Sequence, residues 1–257
     1  MLRPVQLPFW QYPLLFGAAL VAGCVDAVAG GGGLIALPAL LSVGMPVPLA
    51  LGTNKFQSTF GSVTASWHFA REGVVDLRAC GYGIALTFAG ALAGAYTVQH
   101  IDSHFLGRLV PWLLAAILVY TLLRPAIGLE DHPPRMRAGT FYTLFGLGLG
   151  FYDGFFGPGT GSFWAIGLVL LLGLNFTKAT GITKVMNATS NLAALALFAL
   201  AGLVEPRAGL VMAVGQLVGA RIGAGLVVTR GARFIRPVFL TMVSLTLARL
   251  LWLNYRR

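Results

Sequence analysis

Charged residues are scarce in this chain. Of its 257 residues only 10% are charged, whereas 57% are hydrophobic. Soluble domains carry about 25% charged residues, so this composition excludes an ordinary soluble protein. The chain also has only two cysteines, Cys24 and Cys80, both in apolar stretches, which excludes a disulfide framework. With four histidines that lie away from the motifs described below, we expect no metal, no cofactor and no enzymatic activity.

Two other absences limit the function. No Walker-type GxxxxGK[ST] sequence is present, so nothing indicates transport driven by ATP. The formal net charge of +10 comes from single basic residues near the ends of apolar stretches. That scatter is typical of membrane loops and does not form the basic patch that binds nucleic acid.

The chain contains several long apolar segments. A helix needs about 20 mostly apolar residues to cross a bilayer. Segments of this kind include 80–98, 105–123, 210–229 and 238–253. None alternates in polarity as membrane β-strands do. The sequence therefore predicts an all-α polytopic membrane protein.

An internal repeat organises the chain. GCVDAVAGGGG (23–33) aligns with GFYDGFFGPGTG (150–161), which matches Asp26 with Asp153 at a separation of 127 residues. ALGTNKFQST (50–59) then aligns with ATGITKVMNA (179–188), matching Lys55 with Lys184 at a separation of 129. GALAG (90–94) and GARIG (219–223) continue this register and read as helix-packing faces. We predict two tandem membrane repeats, 1–124 and 138–257, joined by a loop at 125–137.

Each repeat contains the same five segments. They are 12–30, 34–45, 48–70, 79–98 and 105–124 in the first repeat, and 138–157, 162–174, 177–203, 208–229 and 234–253 in the second. The second segment of each, about 12 residues, is too short to cross and suits a broken or re-entrant helix. Counted as re-entrant, these pieces give about 8 transmembrane spans; counted as crossings, they give about 10 spans and inverted repeats. The distribution of Lys and Arg favours eight spans, with both termini in the cytoplasm.

Ionisable side chains lie inside these segments. A charge within the membrane is costly and faces a partner or a polar cavity. Lys55 and Lys184 either bind an anionic substrate or extend to the membrane interface. Asp26 and Asp153 could pair with the lysines, carry a coupling proton or cap the helix breaks.

The residues around both lysines and both glycine clusters form the predicted site. A helix that begins after a break presents free N–H groups and a positive dipole end, which suit an anion. Arg221 has no counterpart in the first repeat, and it either lines the pathway or reaches an interface. The predicted substrate-binding residues are Thr53, Asn54, Lys55, Gln57, Thr183, Lys184, Asn187, Asn191, Gly31, Gly32, Gly159 and Thr160.

The motifs resemble a known family. VDAVAGGGGLIALPALLSVGMP, ALGTNK and REGVVDLR are similar to the first half of the TauE/SafE sulfite exporter family. GFYDGFFGPGTGSF and ATGITKVMNATSN are similar to its second half. The resemblance implies an integral plasma-membrane permease for small sulfur-containing or organic anions, such as sulfite or sulfonates. Pro158 and Arg221 depart from the symmetry of the repeats, so the two half-sites are not expected to be equal.

These observations favour a secondary transporter of a small anion in the plasma (inner) membrane, with proton coupling as an option. The duplicated helix breaks favour alternating access. An anion channel and a structural membrane protein without transport are the alternatives. The expected partners are the anion and the lipid bilayer, with no nucleic acid, and a homodimer is compatible with the sequence.

Overall fold

The protein is helical throughout the part of the chain that the structure describes. This computed structural model describes residues 7–123 and 133–230. The predicted span at 234–253, most of the predicted loop at 125–137 and both chain termini lie outside the described residues. The predicted all-helical fold is confirmed for the two described ranges.

Five helices make up the first half. They are α1 (Gln11–Ala29), α2 (Gly33–Ser42), α3 (Val47–Arg71), α4 (Gly81–Gln99) and α5 (Ser103–Leu123). α1 ends at the predicted break, where Gly30 has a φ of 68°. Glycine adopts this left-handed conformation without the steric cost that a Cβ would add. α2 has 10 residues and so extends for about 15 Å, half of the hydrocarbon core. The predicted short helix is therefore present.

The described part of the second half has a similar order of helices. α6 (Ala138–Phe141), a π-helical turn (Tyr142–Gly146) and α7 (Leu147–Phe155) run on as one helix, followed by α8 (Thr160–Leu172), α9 (Phe176–Leu200) and α10 (Pro206–Arg230). The break before α8 again falls at the predicted glycines, because Gly157 and Gly159 have φ values of 100° and 86°. α8 is the second short helix, with 13 residues. The π-helical turn is not indicated by the sequence.

Several polar residues lie inside this fold, and large apolar residues lie on its surface as well as in its core. Lys55, Gln57, Lys184 and other polar side chains are buried, whereas large apolar side chains such as Trp112 and Leu200 are exposed. Soluble proteins show the opposite preference for charged residues. Gly81–Gln99 and Pro206–Leu226 are the described helices that suit a membrane crossing by length and hydropathy alone. Together with the apolar surface and the buried lysines, they indicate a helical membrane protein.

Glycines allow the first helix of each half to pack closely on the fourth helix of the other half. α1 packs on α10, and α4 packs on α7. A Cβ at Gly219 would overlap the carbonyl oxygen of Leu20, and a Cβ at Gly94 would overlap that of Phe151. The GxxxG pairs 90/94 and 219/223 are thus helix-packing faces, as predicted. Along both contacts, residue numbers increase in the same direction on the two helices, so each pair of helices is parallel.

The third helix of each half crosses the core beside its equivalent, and these two helices run in opposite directions. Along α3, Lys55 lies 3.3 Å from Asn191, and a Cβ at Gly181 would lie 3.4 Å from the Cβ of Phe69. Residue numbers on α9 therefore decrease as residue numbers on α3 increase, which makes the two helices antiparallel. α3 and α9 carry the two lysines, and both lysines are buried.

The glycine contacts lead to a stability prediction. Gly219→Ala places a methyl group against the backbone of α1, and we expect a loss of about 1–3 kcal/mol because neither helix can move away freely. Gly17→Ala is the matched control, since nothing lies within 4 Å of its added Cβ. Thermal unfolding in detergent should show a lower midpoint for Gly219→Ala alone. Equal midpoints for the two variants would contradict the close packing of α1 on α10.

Candidate functional site

Two ion pairs lie in the core, and each joins a lysine of one half to an aspartate of the other. The Nζ of Lys55 is 2.6 Å from Oδ1 of Asp153. The Nζ of Lys184 is 3.0 Å from Oδ2 of Asp26. The repeat alignment makes the lysines equivalent and the aspartates equivalent, but it does not say which lysine meets which aspartate. In the structure, the aspartate that pairs with each lysine belongs to the other half of the chain.

Helix periodicity explains why the second lysine faces inward. Thr180, Lys184, Asn187 and Asn191 follow one another at spacings of three or four residues, and Thr183 lies next to Lys184. Residues at these spacings share one face of a helix. All five are buried, so α9 turns a polar face into the core of the protein.

The pair formed by Lys55 and Asp153 is enclosed. Its side chains are 2% and 6% exposed. Lys55 also donates to Oδ1 of Asn191 at 3.3 Å, and the hydroxyl of Ser190 donates a short hydrogen bond to Oδ2 of Asp153. Each oxygen of the carboxylate therefore has a donor, which offsets the cost of removing both charges from water.

The pair formed by Lys184 and Asp26 is more open on the carboxylate side. The lysine is fully buried, whereas the side chain of Asp26 is 14% exposed. Lys184 also donates a short hydrogen bond to the main-chain carbonyl of Asp26. The backbone N–H of Gly32 donates to Oδ1 of Asp26 at 3.2 Å. Asp26 is therefore both a counter-ion and a carboxylate that stabilises the first helix break.

The two helix breaks lie against each other and against the ion pairs. A Cβ at Gly161 would lie 2.9 Å from the carbonyl oxygen of Gly30 and 3.0 Å from Nδ2 of Asn187. A Cβ at Gly157 would lie 2.6 Å from Nζ of Lys55 and 2.8 Å from Oδ1 of Asp153. Only glycine allows this approach, so the breaks bring backbone groups directly to the buried charges.

Some predicted site residues are engaged in contacts within their own helix or with loops. Asn54 accepts a hydrogen bond from Gln57 at 2.9 Å. The hydroxyl of Thr53 accepts from the backbone N–H of Glu205 at 2.9 Å and so fastens α3 to the start of α10. The hydroxyl and the backbone N–H of Thr160 both donate to the carbonyl of Gly157. In this conformation the hydroxyl of Thr160 donates within the second break, and the hydroxyl of Thr53 accepts from the loop before α10.

Other predicted site residues have buried polar atoms without a partner in the protein. These atoms are Oε1 of Gln57, Oγ1 of Thr183 and Oδ1 of Asn187, and Oγ1 of Thr180 also lacks a partner. Buried polar groups are nearly always hydrogen-bonded, so such atoms indicate a place where water or a ligand binds. Of the remaining predicted residues, Gly31 is buried in the first break, and Gly159 precedes α8 in the second.

Arg221 lies away from both ion pairs. It is exposed on α10, and its guanidinium makes a short contact with Nδ1 of His68 on α3. The sequence leaves open whether Arg221 lines the pathway or reaches an interface, and the contact described for this residue involves neither ion pair.

The sequence analysis did not assign a role to three buried residues near the pairs. Ser190 binds Asp153, Ser62 accepts from Nδ2 of Asn191 at 3.4 Å, and Gln216 is 1% exposed on α10. A signal for Ser190 was present, because it follows Asn187 by three residues on the polar face of α9. The contact of Ser62 depends on how α3 crosses α9, which a single sequence does not reveal.

Comparison with known proteins now identifies the family. Residues 15–250 match the family described as sulfite exporter TauE/SafE. This chain belongs to the TauE/SafE family. It is 44% identical to the "Probable membrane transporter protein YfcA" of Escherichia coli K12 over 95% of this chain and 92% of that protein. A "Probable membrane transporter protein" of Haemophilus influenzae is 44% identical, over 93% and 94% of the two chains. The "Probable membrane transporter protein YdhB" of Bacillus subtilis is 25% identical, over 90% and 98%. No solved structure gives a significant match.

The enclosed pair leads to a prediction about folding. Asp153→Leu leaves the ammonium of Lys55 buried without a counter-charge, and we expect the variant to lose about 3–5 kcal/mol of stability. The double variant Lys55→Met/Asp153→Leu removes both charges and should recover most of that loss. Thermal unfolding and gel filtration in detergent measure both effects. Equal stability of the single and double variants would contradict a direct pair between these residues.

Proposed function

We propose that this protein is a secondary transporter that moves a small anion across the plasma membrane. The observation that carries the proposal is the pair of buried lysines, each held by an aspartate from the other half of the chain. A lysine whose counter-charge is a movable carboxylate can exchange that carboxylate for an anionic substrate. The names of the relatives, which describe probable membrane transporters, support the same class of function.

The direction of the helices supports inverted repeats. α3 and α9 are equivalent in the repeat alignment and run antiparallel, whereas halves inserted in the same orientation would make them parallel. We therefore favour about 10 spans with inverted halves over the arrangement of about 8 spans that the distribution of Lys and Arg favours. In this arrangement α2 and α8 each count as one passage of the chain back across the membrane. Both termini remain on the same side, which we assign to the cytoplasm.

Inverted repeats with broken helices provide a means of alternating access. Transporters of this kind bind substrate near the middle of the membrane, where the two halves meet. Here the breaks and both ion pairs lie at that meeting point. Rocking of one half against the other would expose the lysines first to one side of the membrane and then to the other. This geometry favours a transporter over a channel, whose pore would need no such exchange of partners.

The substrate class follows from the charge of the site and from the family. Two lysines with nearby hydroxyl and amide groups suit a compact oxyanion, because such groups donate hydrogen bonds to several oxygen atoms. The family is described by its sulfite exporters, so sulfite, thiosulfate and sulfonates are the first anions to test. Proton coupling through an aspartate is part of the proposal, and a homodimer remains compatible with it.

Loss of the second lysine should abolish transport. Lys184→Ala leaves no ammonium for the anion, and we expect flux into proteoliposomes to fall by about 10-fold or more, as the loss of a charged contact implies. Lys178→Ala is the matched control, because Lys178 is exposed at the start of the same helix. The measurement is uptake of labelled sulfite, thiosulfate and methanesulfonate, with gel filtration to establish that both variants fold. Normal flux in Lys184→Ala would exclude the proposed site, and unitary currents in a bilayer would favour a channel.

The proposed inversion can be tested by labelling from one side. Glu72 and Ala201 are exposed equivalents in the loops that follow α3 and α9. Glu72→Cys and Ala201→Cys, each in a background with Cys24 and Cys80 replaced by alanine, should react with an impermeant maleimide from opposite sides of the membrane. Labelling of both from the same side would instead support halves of the same orientation and about 8 spans.

A further inference from the structure

The two ion pairs differ in how firmly each carboxylate is held. Asp153 is 6% exposed and Asp26 is 14% exposed, although both lysines are buried. Asp153 has a side-chain donor on each oxygen, from Lys55 and from Ser190. Asp26 has one side-chain donor, Lys184, and a longer bond from the backbone of the glycine break. Asp26 is therefore the carboxylate that can leave its lysine with less loss of hydrogen bonding.

The polar groups around Lys184 are also less fully hydrogen-bonded than those around Lys55. One turn to either side of Lys184, Thr180 and Asn187 have buried oxygen atoms without a partner, and so does the adjacent Thr183. In the first half, the residues equivalent to Thr183 and Asn187 are Asn54 and Ser58, and both accept hydrogen bonds from Gln57. The unpartnered atom there is Oε1 of Gln57, an amide oxygen that, like Oδ1 of Asn187, accepts hydrogen bonds and cannot donate to an anion, so the hydroxyl groups of Thr180 and Thr183 make the difference. Unused hydroxyl donors thus lie around Lys184.

We propose that Lys184 is the lysine that binds the transported anion in this conformation, and that Asp26 takes up a proton when the anion replaces it. The Lys55–Asp153 pair stays closed in this state. This inference rests on the proposed function and assigns separate tasks to the two pairs. The ligand is a small oxyanion, which would receive hydrogen bonds from the ammonium of Lys184 and the hydroxyl groups of Thr180 and Thr183.

The balance of charge requires the proton. An anion on Lys184 beside an ionised Asp26 would put two negative charges against one ammonium, in a region where little water screens them. Uptake of a proton converts the carboxylate of Asp26 to the neutral acid and removes this repulsion, since a nearby like charge disfavours the ionised form. No covalent bond changes except the O–H bond formed on Asp26. Each monovalent anion is then accompanied by one proton, and the pair crosses without net charge.

No other described group is placed to neutralise Asp26. The helices packed against α1 are α2, α3, α8, α9 and α10. α2 and α8 contain no titratable residue, and the charged or titratable residues of the other three are Lys55, His68, Arg71, Lys178, Lys184, Arg207, Arg221 and Arg230. Lys55 is paired with Asp153, and Arg221 contacts His68. Lys184 is the residue among these for which the described part of the chain shows a contact with the Asp26 carboxylate.

The test measures proton uptake when the anion binds. Purified protein in weakly buffered detergent is mixed with whichever of sulfite, thiosulfate and methanesulfonate the wild type carries fastest, and a pH-indicator dye reports the protons. We expect about one proton taken up per anion bound by the wild type. Lys184→Ala, which should not bind the anion, provides the blank for protons exchanged by the anion itself. Asp26→Asn should bind the anion with no proton uptake.

The comparison variant alters the other pair. Lys55→Met/Asp153→Leu removes both charges together, so its folding does not depend on an unpaired ion, and it should still take up a proton on binding even if its flux is reduced. Proton uptake by Asp26→Asn, or its loss in the double variant, would overturn the assignment. Anion binding by the wild type without proton uptake would overturn this inference alone. A wild type that binds none of the three anions would overturn the proposed function as well.

Discussion

A buried ammonium needs a counter-charge, and this need determines how the two halves of the chain are joined. Lys55 and Lys184 are buried inside the protein, where a charge without a partner is costly. Each finds its carboxylate on the first helix of the opposite half. The ion pairs therefore act as two links between the halves, and their formation depends on the crossing of α3 and α9 at the centre of the molecule.

Glycine makes this arrangement possible at two scales. Between helices, it allows α1 to approach α10 and α4 to approach α7 until their backbones are in contact. At the breaks, it allows the chain to turn within a few residues of Asp26 and Asp153, so that backbone groups lie beside the charges. Helices with larger residues at these positions would keep the first segment of each half too far from the lysines.

Much of this architecture could be predicted from the sequence because it depends on local properties. The length of the apolar segments predicted the helices, and the glycine clusters predicted the two breaks. The repeat alignment identified Asp26, Asp153, Lys55 and Lys184 as a set. The partner of each lysine could not be predicted, since equivalence between positions says nothing about which of them touch. The direction of α9 relative to α3 was likewise undetermined, because Lys and Arg counts differ little between the two topologies.

The remaining differences come from tertiary contacts that leave little trace in one sequence. Thr53 resembles its polar neighbours in composition, yet its hydroxyl binds the backbone of Glu205 in a loop far along the chain. The sequence leaves open whether Arg221 lines the pathway or reaches an interface, and its contact with His68 depends on how α10 packs on α3. Ser190 is an ordinary member of a polar helix face until α7 brings Asp153 against it.

The crosswise pairing has a consequence for the origin of the protein. One half alone would carry an aspartate and a lysine that do not meet each other, so both would be buried without a partner. Two copies of such a half could satisfy all four charges by pairing crosswise. With the inverted halves proposed above, the present chain corresponds to an antiparallel homodimer whose subunits have been joined, and joining them would produce the two orientations in equal number.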